Sequence, residues 1–156
     1  VLLAAGATVI RARDGLTPLL VACCWGHLRC VQVASSYGAA RAITWNGLRG
    51  DAEGMARNQN HMEVVAWLSL SSRWTTPLHH LRIIGDARAR ALLRSGADLR
   101  ATAAANGPTP LSLAQQQHAL GDAPEGSAAQ LVLRDSVHKR ASAQALEHDM
   151  ARSKLC

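Results

Sequence analysis

The chain has 156 residues, enough for one domain with a sizeable core, and its 48% hydrophobic and 18% charged residues exclude a disordered polymer. No stretch approaches the roughly 20 apolar residues of a membrane span. The formal charge is +6, and its excess is concentrated from Arg73 to Arg100, where six Arg face only Asp86 and Asp98. With no run of consecutive basic residues and no aromatic interleaving, that excess reads as a solvated helix face before it reads as a nucleic-acid surface. There is no Phe, so the core must come from Leu, Val, Ile and Ala, which suits thin helix-on-helix packing. The four cysteines, Cys23, Cys24, Cys30 and Cys156, lack the spacing of a disulfide framework, and free thiols in an intracellular protein, cytoplasmic or nuclear, are expected.

In chain order, the same signals return. Gly6-Ala7 closes a Leu-rich segment and is followed by Thr17-Pro18-Leu19. Gly26-His27-Leu28-Arg29-Cys30-Val31 comes next, then a second stop at Gly38-Ala39. Asp51-Ala52-Glu53 stands where a second Thr-Pro-Leu is due, and Asn60-His61-Met62-Glu63-Val64-Val65 echoes the earlier His phrase. Thr76-Pro77-Leu78 and the stop Gly96-Ala97 follow, and Thr109-Pro110-Leu111 repeats the motif once more. The step from His27 to His61 and the step from Pro77 to Pro110 are nearly equal, and both fall in the range that marks a stacked repeat. Each signal has a physical job. Thr offers an N-capping hydroxyl, Pro at the first helical position loses no hydrogen bond, and Gly past a helix takes the left-handed conformation that ends it. One unit is therefore a turn, a short helix, a turn and a second helix, too small to bury its apolar faces without stacked neighbours.

Asp14-Gly15-Leu16-Thr17-Pro18-Leu19-Leu20-Val21-Ala22, Thr76-Pro77-Leu78-His79-His80-Leu81 and Leu92-Leu93-Arg94-Ser95-Gly96-Ala97-Asp98-Leu99 resemble the ankyrin-repeat signature. The resemblance covers residues 1 to about 134 and implies an all-α solenoid of stacked helix-turn-helix units with short β-turn fingers. The expected division is a partial repeat at 1–12, whose first helix is missing, and repeats at 13–42, 43–72, 73–101 and 102–134. A C-terminal helix or tail at 135–156 is expected to cap the array or fray. The repeat at 43–72, lacking Thr and Pro, is expected to hold the least stable first helix, and 73–101 to be well formed. Trp74 stands where Gly15 and Gly107 stand in their repeats, so that finger cannot use glycine's freedom.

The chemistry-bearing residues point away from catalysis. No nucleophile elbow, phosphate loop or zinc-protease motif occurs. Cys23, His27 and Cys30 have helical spacing for zinc, but Gly26-His27 is expected at a turn, which would split the set, and Cys23 is expected in the core. The resemblance implies that His79 hydrogen-bonds within and between repeats and that His80 faces the inner, ligand-binding side. Trp67 reads as core, whereas Trp25, Trp45 and Trp74 fall on the face where such arrays bind. Arg88, Arg90 and Arg94 are expected on the convex, solvated surface. The implied role is a non-catalytic, monomeric protein-interaction module with no cofactor or metal. Its binding surface would include Arg13, Trp25, Trp45, Trp74, His80 and Gln116. Two other roles stay open: the substrate-recognition part of a larger enzyme or ubiquitin-ligase adaptor, and a basic nucleic-acid-binding surface.

Overall fold

The computed structural model describes residues 16–45, 48–102 and 107–153. Thr17 Oγ1 accepts a hydrogen bond from the Leu20 N–H at 3.3 Å, and Pro18 occupies the first helical position of α1 (Pro18–Cys24). One orphan donor is thereby satisfied, and proline removes no helical bond. Gly26, at φ +70°, reverses the chain into α2 (Leu28–Ser36), which packs back on α1. Gly38, at φ +79°, ends α2, with the Gly38 and Ala39 N–H groups donating to Ser35 O and Ala34 O. Two short antiparallel strands then form a finger. Strands β1 (Ala42–Trp45) and β2 (Leu48–Asp51) pair in register with Ala42 opposite Asp51 and Trp45 opposite Leu48.

The second unit copies the first. Helices α3 (Ala52–Asn58) and α4 (Met62–Leu70) start and stop at one constant offset from their counterparts α1 and α2. This corrects the expectation that the unit lacks a cap. Asp51 Oδ1 accepts from the Gly54 N–H at 2.5 Å, so a carboxylate does the work of the Thr17 hydroxyl. Asn60, at φ +60°, makes the reversal that Gly26 makes in the first unit.

The third unit departs from the pattern although it carries Thr76-Pro77-Leu78. Its first helix is only a 3₁₀ helix (Pro77–His80), followed by turns and then α5 (Asp86–Arg94). The cause is length. The step from cap to second helix is the same from Thr17 to Leu28 as from Asp51 to Met62, but it is one residue shorter from Thr76 to Asp86. With less chain to span the gap, the segment takes the 3₁₀ form, which rises about 2.0 Å per residue against about 1.5 Å in an α-helix. Trp74 meets its turn without leaving the common region: Asn60 is the non-glycine residue with positive φ among the described residues.

In the fourth unit, Thr109 and Ser112 cap α6 (Pro110–Ala119) reciprocally, at 3.0 Å and 2.9 Å. Helix α7 (Ala128–Ser153) runs without a break through residues 134 and 135, where the sequence suggested a boundary. Its first turns are buried at Ala128, Ala129 and Val132, while Val137 and Leu146 stand exposed.

The helices are paired and packed side by side, α1 on α3 and α5 and α6 on α7. Their apolar interior divides in two. Leu19, Leu20, Val31, Val64 and Leu68 belong to one core, and Leu78, Leu81, Ala89, Ala114 and Val132 to another.

Candidate functional site

The two cores meet around an aromatic cluster. The Trp67 and Trp74 rings lie edge to face with centroids 6.2 Å apart. His80 packs against both, at 5.9 Å and 5.0 Å. Such pairs contribute about 0.5–1.5 kcal/mol each beyond area burial. On one side of this cluster opens a cleft of about 520 Å³. Trp67 and Leu70 come from α4, Leu113, Gln116 and Gln117 come from one side of α6, and Leu120 caps its C-terminal end. Arg29, Gln32 and Arg82 contribute the polar lining. Leu70 and Leu120 are each 69% exposed, so two large apolar side chains on opposite elements face solvent at the same opening.

Of the six residues singled out from the sequence, three come together here: Trp74, His80 and Gln116. His80 was expected to present itself to a ligand, but it is only 3% exposed. The two indoles and the short 3₁₀ turn hold it inward, so it shapes the wall and offers little surface. Burial, with help from Arg41, His79 and Arg88, pushes its pKa down to about 4, which keeps it neutral. Trp25 lies apart from the cleft and is 70% exposed at the end of α1. Arg13 and the Trp45 side chain fall outside the described residues.

His79 does what the resemblance implied. The Thr76 N–H donates to its Nδ1 at 3.2 Å, which leaves the proton on Nε2 to donate to Pro108 O of the next unit at 3.0 Å. His61 plays the same bridging part in the first half, with Nε2 at 3.0 Å from Cys24 O. The spaced Cys-His set separates as the turn at Gly26 requires. Cys23 is buried in the first core, where burial pushes its thiol up to about 11 against the opposing Arg41 charge, while Cys30 is exposed on α2.

Of the basic segment, Arg90 and Arg94 are exposed on α5 as expected, and Arg88 differs. Arg88 does not point outward. Its guanidinium lies 3.6 Å from the centre of the Tyr37 ring and donates to Ser36 O at 2.9 Å. The ring face and the Ser36 carbonyl reward its inward turn. Arg82 pairs with Asp122, Arg90 pairs with Asp86, and Arg94 donates to Arg90 O. Arg82, Arg90 and Arg94 make these contacts at the surface and stay exposed, whereas Arg88 is drawn inward.

The residues that sequence reasoning missed are Trp67, as part of the opening, with Leu70, Leu113 and Leu120. A signal existed for the first two. Val64, Val65 and Leu68 form the buried stripe of α4, and Trp67 and Leu70 lie off it, three residues apart on a common side.

No helix among the described residues is long and apolar enough to cross a membrane. No curated protein matches the chain. The family model for the ankyrin repeat matches residues 14–40, which span the Thr17-capped α1, the reversal at Gly26, α2 and the stop at Gly38. The chain therefore carries an ankyrin repeat at residues 14–40, and stacked helix pairs follow it.

Proposed function

We propose that the chain is a protein-interaction module and that its partner sits in the cleft between α4 and α6. The supporting observation is the pair of exposed leucines, Leu70 and Leu120, flanking a floor of Trp67 and Trp74. Aromatic anchors beside exposed aliphatic side chains are what a desolvated hot spot needs. The glutamines at 116 and 117 offer both donors and acceptors at the rim, which fixes the register of a bound backbone. Trp67, Leu70, Leu113, Gln116 and Gln117 are carried by α4 and α6, so little ordering entropy is lost where they bind. The occupant is an amphipathic segment of another protein whose apolar side fills the space between the two leucines. Repeats at 13–42, 43–72, 73–101 and 102–134 are the units of this scaffold, and binding needs no chemistry from them.

The test is affinity capture from cells with the wild-type chain, the double variant Leu70→Glu with Leu120→Glu, and Trp25→Ser as a control of matched exposure. The double variant should lose a captured partner by about tenfold or more, as hot-spot truncation does. Trp25→Ser should keep it. Equal recovery by the double variant, or loss only with Trp25→Ser, rejects the cleft as the binding face.

A further inference from the structure

On its other side the Trp74–His80 wall borders a second pocket, of about 350 Å³. Arg41 and Arg88 both line it, with Ser35, Ser36, Ser72 and Thr75. We propose that this pocket is a binding site for a phosphoryl group. Two guanidiniums among hydroxyls are a lining that an oxyanion selects.

Both guanidiniums are drawn in from solvent, and both hydrogen-bond to neutral acceptors. Arg41 donates to Leu68 O and to Ser71 Oγ, each at 2.9 Å, and Arg88 donates to Ser36 Oγ at 3.2 Å and to Ser36 O at 2.9 Å. Each guanidinium carries five donors, so these bonds leave donors to spare. Neither takes part in an ion pair among the described residues. Glu53 is the acid within electrostatic reach of Arg41, but its carboxylate is already bonded to Arg57 at 2.6 Å. Two partly desolvated cations lining one cavity gain from a multivalent anion placed between them. The guanidinium fork matches phosphoryl oxygens in pairs.

A second feature points the same way. Ser35 Oγ has no hydrogen-bond partner, in a side chain only 8% exposed. A buried hydroxyl without a partner is uncommon and marks a place where a partner is due. His80 Nδ1 is likewise unpartnered, and burial first, then the charges of Arg41, His79 and Arg88, hold the His80 pKa down beside the pocket. The carboxylates nearest in sequence to the lining do not compete: Asp51 caps α3 and Asp86 pairs with Arg90.

The test uses the full chain with inorganic phosphate and, separately, a peptide containing phosphoserine, with acetate and chloride at matched ionic strength as controls. Binding is read by calorimetry and by the rise in Tm. Phosphate should raise Tm well above chloride and acetate. Phosphoserine peptide binding at least tenfold tighter than phosphate identifies a phosphorylated partner as the source. Equal affinity identifies a free phosphate compound, and either result supports the site. Thr75→Glu places a carboxylate at an exposed lining position that the fold does not use, and it should abolish the phosphate response. Arg88→Gln should weaken binding at least tenfold, whereas Arg94→Gln should leave it unchanged. Acetate binding as tightly as phosphate, or a Thr75→Glu protein that still responds as the wild type does, overturns the proposal.

Discussion

The first two units and the last two are built from the same instructions and come out differently. In the first half, α1–α2 and α3–α4 have identical lengths at a constant offset, although the second copy has neither the threonine nor the proline of the first. In the second half, the unit that keeps Thr76-Pro77-Leu78 forms only a 3₁₀ helix, and the last unit ends in the 26-residue α7. Spacing between cap and second helix therefore governs the repeat more strictly than the motif does. An aspartate can replace a threonine as cap, but one missing residue cannot be replaced. The two cores part, and the cleft opens, where the regular half meets the irregular one.

The largest effect should separate those cores. Leu19 is fully buried in the first, and Leu19→Ala should cost roughly 3–5 kcal/mol by denaturant titration. Hydrogen exchange on that variant should show lost protection across 18–70 and retained protection at 78–92 and 128–132. Uniform loss would join the two cores into one cooperative unit.

The junction between the halves should respond to acid. His80 has a folded pKa of about 4 against 6.5 for the free side chain. Between these values the unfolded chain holds more protons, so the stability that His80 contributes is present above pH 6.5. It is lost as pH falls through about 4, by roughly 3 kcal/mol in all. Stability curves at pH 7 and pH 4 should differ by less in His80→Phe than in the wild type. An unchanged difference would place the acid sensitivity elsewhere.

A finer comparison sets the two reversals of the first half against each other. Gly26 lies at φ +70°, and an added Cβ would come within 2.5 Å of the His61 ring. Gly26→Ala should therefore cost roughly 1–3 kcal/mol, whereas Asn60→Gly, at φ +60°, should cost almost nothing. The smallest effect sharpens the equivalence of the caps. Asp51→Ala and Thr17→Ala should each lose about 1 kcal/mol. A neutral Asp51→Ala would return the second unit to the status of a degraded copy.

Local chemistry was legible in the sequence and long-range meeting was not. Thr17-Pro18 and Thr109-Pro110 announced their helices, and the Gly26-His27 and Asn60-His61 phrases announced the copied unit. Asp51 was hidden only because it stood outside the expected motif, since aspartate is as good a cap as threonine. The 3₁₀ turn needed a count of residues from cap to second helix, which the motif distracts from. Arg88 against Tyr37, and Leu70 beside Leu120, depend on how the two halves come together. No periodicity within either segment encodes that meeting.

The most direct measurement of a protein-binding role is hydrogen exchange of the full chain with and without a captured partner. Binding in the cleft predicts added protection at residues 67–83 and 113–120, with residues 24–27 around Trp25 unchanged. Protection gained around Trp25 and none along α6 would contradict it.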